Sequence, residues 1–118
     1  MSISKEGKLV SASLAELRRF GFIVTNFNTH RHVKTGSMQK LTDYIIAGHT
    51  GVHFIEVKLE STGDTMKPHQ KLFKHIIERI SERCVWVNYW LIVNLDQAHT
   101  AFQIILNGTE EQLGEKLQ

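Results

Sequence analysis

The strongest constraint on the fold is a pair of β-rich runs joined by the segment 48–51, Gly-His-Thr-Gly. Glycines at both ends of this segment supply the backbone conformations that a turn requires, so the pattern predicts an antiparallel hairpin. A four-residue loop places Ala47 opposite Val52. Counting outward along the strands then places Asp43 opposite Glu56, and side-chain alternation puts both on the same face of the sheet.

The same alternation adds Lys58 to the face that carries Asp43 and Glu56. Directly opposed residues have Cβ atoms about 5 Å apart, and like charges at that distance destabilise a sheet. A bound cation would offset this repulsion, and Mg²⁺ commonly takes one or two carboxylates while keeping several waters. Manganese and calcium fit the same oxygen ligands, whereas zinc is disfavoured because finger-like Cys or His spacing is missing. The alternative is an ion-paired, solvated strand face, which Val52 and Phe54 on that face argue against.

Asp43, followed after a twelve-residue interval by Glu56-Val57-Lys58, resembles the metal-binding core of the PD-(D/E)XK nuclease superfamily. Within it, the end of that strand, a polar loop and then Lys67-Pro-His-Gln-Lys71 are similar to the small virus-type replication-repair nuclease (VRR-NUC) domains. The resemblance extends over most of the chain. Thr42 stands where the family usually has proline, which is not a metal ligand, so the expected chemistry is unaffected.

The resemblance implies an α/β fold with a restriction-endonuclease-like core, in which a central mixed sheet is flanked by helices in the order αβββαβ. It also implies a site that binds Mg²⁺ or Mn²⁺. In the family a glutamate of the first helix contributes to this site, and Glu6, at the centre of the apolar stripe, matches it better than Glu16. The implied catalytic residues are Asp43, Glu56, Lys58 and Gln70, and the implied metal ligands are Asp43, Glu56, the Val57 carbonyl and Glu6.

Periodicity predicts the remaining elements of what we expect to be a single domain, residues 1–118. The almost wholly apolar strand 85–95 is expected at the centre of the sheet, covered on both faces. The other predictions are a helix over 4–20, a strand over 22–27, a polar segment over 29–40, a helix from Pro68, a strand or helix over 98–106, and a terminal helix over 109–116 capped by Thr109.

Basic residues flank the predicted site on both sides in a chain with a net charge of +2. Such clusters can hold a polyanionic backbone across a metal ion, although ordinary solvated faces carry similar charges. The DNA-binding candidates are Arg31, Lys34 and Lys40 before Asp43, and Lys67, Lys71 and Lys74 after Lys58.

The sequence therefore predicts a metal-dependent, structure-specific DNA endonuclease, and the resemblance favours a homodimer that resolves Holliday junctions in phage-type replication and repair. A flap or restriction-type nuclease is the alternative within the superfamily, and a non-catalytic nucleic-acid-binding module is the alternative outside it. We expect no membrane association, because no apolar run reaches about 18 residues, and a cytoplasmic location in a bacterial or phage-infected host cell.

Overall fold

The computed structural model describes residues 5–27, 40–63, 65–109 and 112. A four-stranded mixed sheet forms its middle layer, and helices lie on both faces, as predicted. The elements are α1 (Lys5–Arg19), β1 (Ile23–Asn26), β2 (Tyr44–Gly48), β3 (Gly51–Val57), a 3₁₀ turn (Glu60–Thr62), α2 (Pro68–Ser81), β4 (Val87–Ile92) and α3 (Leu95–Asn107).

The spatial order of the strands is β1-β2-β3-β4. The first three strands are antiparallel neighbours, whereas β4 pairs with β3 in parallel through the α2 crossover. β4 is therefore an edge strand, and the prediction that it lies at the centre is wrong. The predicted cover on both faces is nevertheless present and explains the apolar run, since α2 packs on one face of β4 and α3 on the other. The central strand covered on both faces is β3.

The hairpin has the predicted register, with Ala47 paired to Val52. Gly48 also pairs with Gly51, so the connection itself is only His49 and Thr50. Gly51 has a φ of +103°, and a Cβ at this position would lie 2.1 Å from the Trp86 carbonyl oxygen. Glycine is thus required here both by backbone conformation and by the close approach of the chain before β4.

Helices α1 and α3 cover one face of the sheet and enclose the main hydrophobic core. The opposite face is covered by α2, whose Phe73 ring lies 5.3 Å from the ring of Phe54 and 6.4 Å from that of Tyr89. The fully buried apolar side chains of the main core include Leu17, Ile46, Ile55, Ile92 and Ile105. Even-numbered β3 residues therefore face α2, and odd-numbered ones face α1 and α3.

The strand predicted over 85–95 ends earlier, because Asn94 begins a helix. Its side-chain oxygen accepts a hydrogen bond from the Gln97 N–H at 2.9 Å, which caps α3. The ambiguous segment 98–106 is thereby helical. Thr109 and Gln112 exchange the predicted capping contacts, at 3.0 and 3.1 Å, while the rest of the predicted terminal helix lies outside the described residues.

A buried polar chain connects the hairpin turn to α3 and β4. The Trp90 indole N–H donates to His53 Nδ1 at 3.0 Å, His53 Nε2 lies 2.8 Å from the Thr50 hydroxyl, and that hydroxyl donates to the Ile105 carbonyl. Since Nδ1 accepts, the proton resides on Nε2 and the imidazole is neutral. Burial lowers the pKa of His53 to about 4.

No helix in the described ranges is long and apolar enough to cross a bilayer.

Candidate active site

Asp43 is held by backbone and side-chain bonds at the start of β2. Its N–H donates to the Ile55 carbonyl at 2.9 Å, and its own carbonyl accepts from the Phe27 N–H at 2.8 Å. The side-chain Oδ2 accepts from the Val57 N–H at 2.7 Å. The paired register of the hairpin ends at Tyr44–Ile55, and the bond from the Asp43 N–H to the Ile55 carbonyl does not follow that register. The Asp43 carboxylate nevertheless lies near that of Glu56, because its charge raises the pKa of Glu56.

Both carboxylates are buried, with Asp43 3% exposed and Glu56 fully covered. The alternative of a solvated strand face is therefore wrong. Burial raises the pKa of Glu56 to about 7, and the negative charge of Asp43 adds to this effect, while Lys58 and Lys40 act in the opposite direction. Glu56 Oε1 accepts from Gln70 and Lys58, each at 3.3 Å. Among the described residues, Oε2 of the same carboxylate has no hydrogen-bond partner.

Gln70 connects the first turn of α2 to this carboxylate. Its Oε1 accepts from the Lys67 N–H at 2.9 Å, which satisfies a donor at the helix start, and its Nε2 donates to Glu56. Pro68 begins the helix, a position that needs no backbone N–H. The first turn is thus fixed against β3, and the positive end of the helix dipole is directed toward the two acids.

Two lysines contact the two acids. Lys58 Nζ lies 3.3 Å from Glu56 and its side chain is 11% exposed, whereas Lys40 Nζ lies 2.5 Å from Asp43 Oδ1 and its side chain is 36% exposed. Lys40 was predicted only to bind DNA, and its contact with Asp43 was not predicted. Its position three residues before Asp43 was a usable signal.

The other described candidates for DNA binding lie on α2 or directly before it. Lys67 and Lys71 are exposed at the start of α2. Lys74 is an ion-pair partner of Glu78, with both carboxylate oxygens 3.0 Å away, so it is the weaker candidate for phosphate contact. Arg31 and Lys34 lie outside the described residues.

The donor set fits a hard divalent cation held by few protein ligands. Within the described ranges, no group of three or more His, Cys, Asp or Glu side chains could hold a metal, which leaves two acids and backbone oxygen. Val57 directs its N–H toward Asp43, and a strand residue presents its N–H and carbonyl on the same edge, so the Val57 carbonyl faces the acids. Glu56 Oε2, which has no partner in the described part of the chain, is a further available ligand. Magnesium and manganese accept such sites. The Glu6 side chain lies outside the described part of the molecule.

Two neighbouring residues were not identified from the sequence. Thr42 is 4% exposed and donates its hydroxyl to the Ile55 carbonyl at 2.8 Å, so it anchors the position before Asp43 by a hydrogen bond. The Tyr89 hydroxyl is buried and, in the described structure, lacks a hydrogen-bond partner. Burial raises its pKa, as does the nearby charge of Glu56. Strand alternation on β4 was the only signal that could have placed Tyr89 on the α2 side.

A mixed sheet between helices, with acids at the ends of two hairpin strands and a lysine beside them, defines a restriction-endonuclease-like α/β fold. No protein-family model matches the sequence, and no curated protein matches it. Among solved structures, the chain is similar to one described as a VRR_NUC domain, with 20% identity, a TM-score of 0.52, and coverage of 91% of this chain and 100% of that one. The chain therefore has the VRR-NUC fold, which confirms the predicted fold class. Its chemistry has to be argued from the site residues.

Proposed function

We propose that this chain is a VRR-NUC-type, Mg²⁺- or Mn²⁺-dependent endonuclease that hydrolyses DNA phosphodiester bonds. The observation that carries the proposal is the pair of buried, neighbouring acids Asp43 and Glu56, each contacted by a lysine, with one Glu56 oxygen that has no hydrogen-bond partner among the described residues. Burying two like charges side by side is costly for folding alone. The arrangement suits a centre whose ligand is a cation.

Each side chain has a definite role in this mechanism. Asp43, Glu56 and the Val57 carbonyl would hold the metal ion, which when bound supplies Lewis acidity toward water and the phosphate. Gln70 fixes the orientation of the Glu56 carboxylate through its two hydrogen bonds. Lys58 places a positive charge beside the acids, where it stabilises the charge that develops on the phosphate oxygens.

We further propose branched DNA as the substrate and a homodimer as the active form, in a bacterial or phage-infected cytoplasm. The support for branched DNA is the family resemblance together with exposed basic side chains near the site, which suit backbone contacts more than base recognition. A two-fold dimer would present two sites to opposite strands. The exposed side chains Leu72, Ile76 and Ile80 on α2 suit such a dimer. They are evenly spaced, so a two-fold axis at Ile76 would place Leu72 of one copy against Ile80 of the other.

The test is cleavage of a four-way junction, with flap and linear duplex substrates alongside, in Mg²⁺, Mn²⁺ or EDTA. We expect symmetric metal-dependent cuts by the wild type and none by Glu56→Gln, which keeps the side-chain shape but removes the charge. Glu82→Gln, an exposed acid at the end of α2, is the matched control and should cut normally.

The other outcomes identify the alternatives. Cleavage of flaps or linear duplex alone would keep the chemistry and replace the substrate. DNA binding that is equal with and without metal, and never followed by cleavage, would favour the non-catalytic module. Full activity in Glu56→Gln would refute the assignment of the site.

A further inference from the structure

When both acids are ionised, the four charged side chains that the structure describes in contact at the metal-free site carry balanced charge. The two acids, Asp43 and Glu56, are each in contact with one ammonium group, that of Lys40 or Lys58. A divalent cation bound to the same acids would leave the four side chains and the metal with a net charge of about +2. At contact distances in a poorly solvated site, such an excess is strongly unfavourable. Metal binding must therefore displace an ammonium group or attract an anion.

Lys40 is the group that can leave. Its side chain is 36% exposed, against 11% for Lys58, and Lys58 has its backbone N–H bonded to the Ile92 carbonyl beside β4. The Lys40 carbonyl accepts a hydrogen bond from His69 Nε2 at 3.2 Å, so its main chain is tied to α2. The side chain can swing on its flexible four-carbon stem while the backbone stays in place.

The contact also lies where a metal would compete for it. Asp43 Oδ2 accepts from the Val57 N–H, whereas Oδ1 accepts from Lys40. A cation that approaches Oδ1 meets the Lys40 ammonium already there. Removing this lysine therefore opens the oxygen to the metal and leaves the two acids without one of their counterions.

We propose that Lys40 is a built-in counterion, which neutralises Asp43 in the metal-free protein and is released by divalent-cation binding to contact a DNA phosphate. The metal half of this proposal rests on the metal site of the proposed function, and the DNA half rests in addition on its action on DNA. Metal binding and DNA binding are then coupled through one side chain. The coupling is reciprocal, so DNA must tighten metal binding by the same factor.

The first experiment measures Mn²⁺ binding by calorimetry in the absence of DNA. Lys40→Met keeps the aliphatic stem and removes the charge. This variant should bind Mn²⁺ about fivefold more tightly than the wild type, because the metal no longer has to break a partly exposed ion pair. Lys40→Arg retains the charge and should resemble the wild type. Lys71→Met, which removes an exposed lysine on α2, should leave the affinity unchanged. In an Asp43→Asn background, the effect of Lys40→Met should disappear.

Thermal unfolding gives an independent result. Without metal, Lys40→Met should melt below the wild type, because the two acids repel each other with one counterion missing. In saturating Mn²⁺ the difference should close, since Lys40 has already left Asp43 in the wild type. Unchanged or weaker Mn²⁺ binding by Lys40→Met, or an equal loss of stability with and without metal, would overturn the counterion role.

The DNA half is tested by fluorescence anisotropy of a labelled four-way junction in Ca²⁺ or EDTA, since Ca²⁺ takes the same oxygen ligands. We expect the gain in wild-type affinity on adding Ca²⁺ to shrink in Lys40→Met and to persist in Lys8→Met, which removes an exposed lysine on α1. An equal gain in all three proteins would overturn the phosphate contact. Failure of the wild type to cut any DNA would instead contradict the proposed function, and it would leave the calorimetric result standing.

Discussion

The buried His53 should make the fold sensitive to acid, and the effect can be isolated. Its pKa is 6.5 in an unfolded chain and about 4 in the folded protein. Between these values the unfolded chain binds a proton that the folded protein excludes, because a second ring N–H would face the Trp90 donor. The stability contributed by neutral His53 is therefore complete above pH 6.5 and is lost as pH falls to about 4. The shift corresponds to about 3 kcal/mol.

Glu56 masks this effect in the wild type, because its pKa shift has the opposite consequence. Its pKa rises from 4.5 to about 7 on folding, so its contribution to stability is complete below pH 4.5 and is lost as pH rises through 7. This shift is also worth about 3 kcal/mol. Between pH 4.5 and 6.5 the two slopes nearly cancel, and we expect the wild-type contribution of this pair to be almost flat.

The assay is urea unfolding followed by far-UV circular dichroism between pH 4 and 8, in metal-free buffer. In the Glu56→Gln background, stability should fall by about 3 kcal/mol from pH 7 to pH 4, with a slope near 1.4 kcal/mol per pH unit. Adding His53→Gln should flatten the profile, because glutamine supplies the same donor and acceptor without titrating. Parallel profiles for the single and double variants would refute the reasoning.

Two further predictions concern the site and the hairpin. Gln70→Ala removes the hydrogen bond at the helix start and the hydrogen bond to the Glu56 carboxylate. We expect the free energy of unfolding to fall by about 1–2 kcal/mol and Mn²⁺ binding, measured by calorimetry, to weaken. Unchanged metal affinity would contradict the positioning role of Gln70. Gly51→Ala introduces both backbone strain and a clash, so it should cost more than about 2 kcal/mol. Gly63→Ala is the control, with a φ of +67° and open space around the Cβ position, and it should lower the free energy of unfolding by only about 1 kcal/mol. Equal losses for the two variants would show that the chain near Trp86 shifts to accommodate a Cβ at position 51.

The hairpin and its register could be predicted because both are local properties. Strand alternation and the glycine-bounded turn determine the pairing as far as Tyr44–Ile55, and the chain before this pair brings Asp43 close to Glu56. The position of β4 could not be obtained this way. An apolar strand sequence indicates that both faces of the strand are covered, whereas the position of the strand in the sheet depends on which of its edges pairs with another strand. Asn94, whose side chain caps α3, was the sequence signal that could have distinguished a helix from a strand after position 94.

The candidate site was partly predictable for a similar reason. The acids, Lys58 and Gln70 follow from a motif whose spacing is set by one hairpin and the helix after it. Lys40 was assigned to a DNA surface because its charge is visible in the sequence, whereas its partner depends on how the chain enters β2. The burial of the acids depends on α2 and could not be obtained from spacing alone.

The two acids, the two lysines that contact them and Gln70 all lie between positions 40 and 70, and this contiguity determines the order in which the centre is assembled. Hairpins form within microseconds, so the two acids can meet early, while still surrounded by water. Gln70 arrives only when α2 docks and allows β4 to pair beside β3. The docking that removes water from the acids is thus the long-range event that completes the sheet. A partly folded chain would carry the acids without the environment that makes them a metal site.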